Sequence, residues 1–268
     1  MLAVILTANS LTWVTAYVHA IAVVMQKGGT GKTTTTVSLA AGLAERALRT
    51  LVVDLDPQAH ATLALGVEAG ERSVYDVIAG EATLAEVVVP TNWDNLEIVP
   101  TTRDLVGAEL QLRGPEGAKR LASRMSQLEG YDFCIIDCPP SLGVLTLNGL
   151  AAADSWLAAC QVSTLAMYGL RELRSTVEAV RKRVNQKLRC LGLLITMYQA
   201  RTAHSEDVEG LLRNSFGDDV FATVIRRSVA FEYATAAKTP LVYHQPSHPG
   251  AAAYRALAQE VITRAQNR

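Results

Sequence analysis

The stretch Gln26-Lys27-Gly28-Gly29-Thr30-Gly31-Lys32-Thr33-Thr34 constrains this chain more than any other. An apolar run, residues 20–24, precedes it and predicts a buried strand. Residues 37–44 (VSLAAGLA) follow it with helical spacing and helix-forming residues. A strand, a glycine-rich turn and a helix in that order let backbone N–H groups wrap a phosphate. Glycines admit close approach, and the helix N-terminus adds partial positive charge. In such a loop Lys32 carries a full charge to the β- and γ-phosphates, and the Thr33 hydroxyl is a hard oxygen ligand for Mg2+.

Two later apolar runs end in carboxylates. Residues 50–54 predict a buried strand, with Asp54 and Asp56 emerging at its C-terminal end, where open α/β sheets bind ligands. Two apart, they share one side of the strand, and Pro57 stops the ladder. Residues 131–137 predict another strand, ending in Asp137 before Cys138-Pro139-Pro140. That arrangement suits a carboxylate reaching Mg2+ through water. Strand-like and helix-like segments alternate from residue 20 onward. The pattern predicts an α/β fold, a mostly parallel twisted sheet flanked by helices on both faces. Further strands are expected at 96–100, 155–160, 191–197 and 220–225. Helices are expected at 73–78, 84–88, 104–112, 116–128, 170–184, 201–216 and 250–265, with 59–66 a mobile connection.

At 268 residues, 49% of them apolar, the chain can bury a large core, and residues 20–268 are expected to form one domain. Residues 1–19 form an apolar extension without the basic n-region of a signal peptide, which fits an upstream start assignment. No other stretch is long and apolar enough to span a bilayer. The stripe Tyr254, Leu257 and Val261 of the last helix reads as core packing rather than membrane insertion. The four cysteines make no C-x-x-C pair, and three lie in apolar runs, as buried thiols of a reducing cytoplasm do. A net charge of -1 means that any nucleic-acid binding must come from a local patch. The candidates are Arg181, Lys182 and Arg183, then Arg201 and Arg213, then Arg226 and Arg227.

The loop departs from the common pattern G-x-x-x-x-G-K-[ST]. Gly31, Lys32 and Thr33 fit it, but Gln26 stands at the first glycine position and a second lysine, Lys27, sits just inside. With D-x-D-P-Q at 54–58 and D-x-P-P at 137–140 in the same order, the chain resembles the ParA/MinD family of ATPases, deviant Walker A P-loop proteins. The resemblance runs from about residue 20 to the C-terminus. Thr196-Met197-Tyr198, Arg201-Thr202 and Gly250-Ala251-Ala252-Ala253-Tyr254 look closer to the ParA/Soj partition branch than to MinD.

The resemblance implies ATP and Mg2+ as cofactors, bound by residues 27–34, with Asp137 on the metal through water. It implies that Lys27 reaches across a sandwich homodimer to the partner's ATP. It further implies that Asp56 positions the attacking water and that Asp54 stands behind the lysine and Mg2+ region. The function implied is chromosome or plasmid partition in the cytoplasm, on the nucleoid. The ATP dimer would bind DNA non-specifically, a ParB-type partner would stimulate hydrolysis, and no membrane would be involved. Two departures stand out: Met25 replaces an asparagine common in relatives, and Arg226 replaces the proline of I-P-R-N. Two other readings remain at this point, a membrane-surface positioning ATPase of the MinD kind and a metabolic P-loop enzyme that phosphorylates a small molecule.

Overall fold

The computed structural model describes residues 17–112, 114–163 and 166–266. The run before the glycine loop is strand β1 (His19–Val24), buried at every residue after the first. It is followed by β2 (Thr50–Asp54), β3 (Val89–Pro90), β4 (Leu96–Val99), β5 (Phe133–Asp137), β6 (Ser155–Gln161), β7 (Arg189–Tyr198) and β8 (Val220–Arg226). These form one sheet in the order β3-β4-β2-β5-β1-β6-β7-β8. Every pairing is parallel except β3 with β4. Continuous apolar strands such as Leu51-Val52-Val53 have both faces covered, as a parallel sheet requires.

The helices are α1 (Lys32–Ala44), α2 (His60–Ala64), α3 (Val74–Ala79), α4 (Leu105–Gln111), α5 (Gly114–Gly117), α6 (Arg120–Met125), α7 (Val144–Ala152), α8 (Ala166–Arg183), α9 (Ala203–Phe216), α10 (Ala230–Ala236), α11 (Leu241–His244) and α12 (Pro249–Gln266). Side-chain alternation along β1 divides them between two layers. Ile21 and Val23 pack with Leu39 and Leu43 of α1 and with Tyr254, Leu257 and Val261 of α12. Ala20, Ala22 and Val24 face Leu145 of α7 and Leu170, Leu173 and Val177 of α8. The stripe on the last helix is therefore core. No helix among the described residues is long and apolar enough to cross a membrane.

Several expectations need correction. Residues 84–88 are turns rather than a helix, and they lead into the two-residue strand β3. The helix expected over 116–128 is broken into α5 and α6. The connection at 59–66 contains α2, and α7, α10 and α11 are additional helices. Strand β1 opens one residue before the expected domain start. Of the N-terminal extension, residues 1–16 lie outside the described residues; Tyr17 donates its hydroxyl to Asp154.

One edge of the sheet is partly capped by a side chain. Strand β8 lies at the margin. There the Glu260 carboxylate of α12 accepts the N–H groups of Ala222 at 2.9 Å and Thr223 at 2.8 Å, together with the Thr223 hydroxyl at 2.5 Å.

Candidate functional site

The C-terminal ends of β1, β2 and β5 meet at the middle of the sheet, where strand order reverses between β5 and β6. The chain turns from β1 into α1 through Gly29 (φ 70°) and Gly31 (φ 86°), left-handed conformations that favour glycine. No side chain among the described residues caps α1, which leaves its first-turn N–H groups for a ligand. The loop is fixed from the side by β7, where the buried Thr196 hydroxyl donates to the Thr30 carbonyl at 2.7 Å.

Lys32 is only 6% exposed. Its ammonium donates to the Lys27 carbonyl at 3.4 Å, and it forms no ion pair among the described residues. Burial lowers its pKa, while the Asp137 and Asp56 carboxylates pull it back up. The parallel register of β2 and β5 sets Asp54 directly beside Asp137. Asp137 accepts the Thr33 hydroxyl at 2.7 Å and the Thr36 hydroxyl at 3.0 Å. Burial, then the charge of Asp54, pushes Asp137 up to about 7 against those two hydrogen bonds. Burial likewise raises Asp54 to about 6, opposed by hydrogen bonds from Thr62 and Asp56.

A cavity of about 510 Å3 opens here, lined by Gly28, Gly31, Lys32, Thr33, Asp56 and Pro140. A second of about 400 Å3 adjoins it around Gly31, Thr34 and Met197, with Arg226 and Arg227 on its rim. A magnesium nucleotide fits this donor set. The helix end and the buried Lys32, without an ion pair among the described residues, suit polyphosphate, and the Thr33 hydroxyl with the Asp137 carboxylate suits a hard divalent cation.

The family model for the AAA domain matches residues 18–190. The chromosome-partitioning ATPase Soj of Thermus thermophilus is 47% identical over 94% of this chain and 98% of its own length. The chain belongs to the ParA/Soj family of partition ATPases. Among solved structures, this ParA/Soj chain is similar to cobyrinic acid a,c-diamide synthase from Mycobacterium smegmatis with bound ADP and magnesium. They are 36% identical with a TM-score of 0.82, over 94% of this chain and 97% of that one. It is also similar to the septum site-determining protein MinD with Mg-ADP from Pyrococcus horikoshii. There the identity is 27% and the TM-score 0.75, over 91% of this chain and 96% of that one.

In this ParA/Soj chain, Gly28, Gly29, Gly31, Lys32, Thr33, Thr34 and Asp56 line the larger cavity. Asp137 joins them through Thr33. Thr30 is turned away, buried with its hydroxyl toward the Lys27 carbonyl at 3.5 Å. Lys27 is exposed, its ammonium 3.5 Å from Gln161 Oε1. Asp54 stands beside Asp137, and its hydrogen bonds run to the Asp56–Thr62 segment.

The basic candidates do not form one patch. Arg226 ends β8 at the nucleotide side with Arg227 just after it, and Arg201 is exposed just past the end of β7. Arg181, Lys182 and Arg183 lie in the last turn of α8, which returns to the start of parallel β7 at the opposite end of the sheet. Arg181 pairs there with Glu178 at 3.0 Å. Arg213 is engaged structurally, by Glu209 at 2.8 Å and the Phe221 carbonyl at 3.2 Å.

Thr36, Thr62 and Thr196 were not anticipated in the site. The run of four threonines at 33–36 carried a signal, because threonine is a mediocre helix former and four in a row ask for partners. Cys134, Cys138 and Cys160 are buried, and burial raises all three thiols.

The raised carboxylates make the nucleotide-free protein less stable as pH rises. Unfolded aspartate titrates near 4, so this pair's contribution is complete below about pH 4 and lost as pH rises through about 6 and 7. Asp137→Asn removes a buried charge. At pH 8 it should stabilise the nucleotide-free protein by about 2 kcal/mol while weakening Mg2+-dependent nucleotide binding. Denaturant melts at pH 5 and 8, with and without Mg·ATP, check both signs.

Proposed function

We propose that this ATPase is a nucleotide-driven dimerisation switch that partitions a chromosome or plasmid by binding DNA non-specifically in its ATP state. The observation that supports it most is the unequal burial of two loop lysines. Lys32 is nearly enclosed behind the loop, whereas Lys27 is exposed on its outer side. One serves the chain's own nucleotide, and the other is available to a nucleotide held by a second copy.

Bound ATP and Mg2+ supply the transferable phosphoryl group and a divalent charge. The loop N–H groups and Lys32 hold the polyphosphate, while Thr33, with Asp137 through water, would hold the metal. Asp56 holds the attacking water, and Lys27 of each subunit neutralises charge that develops on the opposite nucleotide. Closure would align basic residues from both copies, with Arg201, Arg226 and Arg227 nearest the nucleotide side. Doubling the phosphate contacts doubles the salt slope of DNA binding, so the monomer releases where the dimer holds. A ParB-type partner would accelerate the reset.

The deciding experiment is a DNA gel shift with ATP, ADP or no nucleotide across a salt series. Binding confined to ATP, with a steep salt dependence, is expected; equal binding in all three states overturns the switch. Liposome co-sedimentation in the same states tests the MinD-like reading. The likeness to a structure named as a diamide synthase keeps a metabolic reading in view. Phosphate release stimulated by a small carboxylic acid, rather than by DNA with a partner protein, would favour it.

Gly28 gives a second test. A Cβ added there would meet nothing nearer than Pro140 Cβ at 4.0 Å within its own subunit. Gly28→Val should therefore fold and bind ATP, yet fail to close against a second copy. Sedimentation with ATP should show monomer only, and an ATP dimer of normal affinity would count against the sandwich.

A further inference from the structure

Asp56 sits on a segment whose conformation needs an outside cause. After β2 the chain leaves the sheet at Leu55, whose N–H is held by the Asp137 carbonyl at 2.9 Å. It turns through Ala59, a non-glycine residue at φ 56°, and re-enters as the five-residue helix α2. A helix that short does not sustain itself.

What holds it is Asp54. One carboxylate oxygen accepts the Asp56 N–H at 3.1 Å. The other accepts the Thr62 N–H at 2.9 Å and the Thr62 hydroxyl at 2.7 Å. Thr62 Oγ1 in turn accepts the Thr101 N–H, from the connection after β4, at 3.2 Å. Asp54, Thr62 and Thr101 are 0%, 4% and 2% exposed, so water does not compete for these bonds. The loop that carries Asp56 is thus closed at both ends on a single carboxylate.

We infer that Thr62 is a positioning residue: by latching α2 to Asp54 and Thr101, it sets where the Asp56 carboxylate stands. The inference rests on the reading of Asp56 as the group that orients the attacking water. Thr62 suits the task because a hydroxyl donates and accepts at once. Serine keeps both bonds. Valine keeps the shape and the backbone N–H bond to Asp54, but drops the hydroxyl bond to it and leaves the Thr101 N–H buried without that acceptor. The same geometry gives Asp54, which stands beside Asp137 in the sheet, the further task of securing the loop.

The test uses the full chain and three variants, measuring Mg·ATP affinity, Mg2+ half-saturation and turnover. Displacing a reacting group by about 1 Å costs up to about a hundredfold in rate, so Thr62→Val should lose roughly tenfold to a hundredfold in kcat. Its ATP affinity and Mg2+ half-saturation should stay within about twofold of the parent, since only a transition-state interaction is lost. Thr62→Ser should recover most of the rate. A Thr62→Val protein with parental turnover overturns the inference. So does one that loses ATP binding together with turnover and is not rescued by serine, because that marks a general packing role.

Should Thr62→Val fail to fold, Asp54→Asn decides, since it keeps the shape and one acceptor oxygen. Lower turnover at unchanged Mg2+ half-saturation supports the latch. A half-saturation raised about tenfold, equivalent to one pK-sized increment of binding energy, assigns Asp54 to the metal and overturns it. Asp56→Ala separates the two levels. Parental turnover in Asp56→Ala removes the underlying reading, whereas an inactive Asp56→Ala beside a fully active Thr62→Val defeats the positioning role alone.

Discussion

Lys32→Ala leaves a folded protein that no longer gains stability from Mg·ATP. In the nucleotide-free protein the Lys32 ammonium is buried against one backbone carbonyl, with no ion pair among the described residues. Burial opposes its charge. Removing it therefore relieves a desolvation cost, and the apo melting temperature should not fall. With nucleotide present the balance reverses, because the same charge is what a triphosphate needs. A ligand at a hundred times its Kd stabilises a protein by about 2.7 kcal/mol, and this increment should vanish in the variant. Thermal melts with and without Mg·ATP measure it directly. A preserved ligand-induced shift would show that Lys32 is not the phosphate-binding lysine.

Asp56→Ala should separate binding from turnover. Asp56 lines the larger cavity, is 7% exposed, and accepts the Gln58 N–H at 3.0 Å. Among the described residues its carboxylate makes that one hydrogen bond, within a turn, so truncation spares the core. A positioned group that handles the attacking water contributes about a hundredfold to ten-thousandfold, and a loss in that range is expected in phosphate release. ATP binding should persist, and on the proposed switch the ATP-bound dimer should accumulate on DNA. Single-turnover hydrolysis, read beside equilibrium ATP binding, checks both parts. Normal hydrolysis would remove Asp56 from the mechanism.

The legible parts of the sequence were those where one segment carries its own reason. The buried parallel strands announce themselves as unbroken apolar runs, and the loop announces itself through glycines that must take positive φ. Helix α7 was missed because its sequence, VLTLNGLAA, has no polar face to set a period. It packs so closely on the end of β5 that a Cβ at Gly149 would come 2.6 Å from the Sγ of Cys138, the residue just past that strand. Helices α10 and α11, at seven and four residues, are too short for periodicity to register. The expected helix at 84–88 gave way to turns, where Glu86 accepts both the Thr83 N–H and the Thr83 hydroxyl.

The site divides in the same way. Lys32, Thr33, Asp56 and Asp137 sit at strand ends or on the loop itself, where local pattern places them. Thr62 and Thr196 act on residues far along the chain or in another layer, and spacing alone cannot reveal such pairings. Asp54 shows the limit most clearly. Its side of the strand could be read from its position, but the partners of its oxygens depend on a helix that returns to meet it.

The Glu260 carboxylate over the rim of β8 has a consequence for association. Unsatisfied main-chain groups along an outer strand invite any passing chain to add itself, with no regard for nucleotide. Here two of those donors, the Ala222 and Thr223 N–H groups, are already occupied by a residue of the same subunit. Side-by-side addition loses two of the donors it would use at this rim, which on the proposed switch favours an encounter between copies at the end of the sheet where the nucleotide would lie.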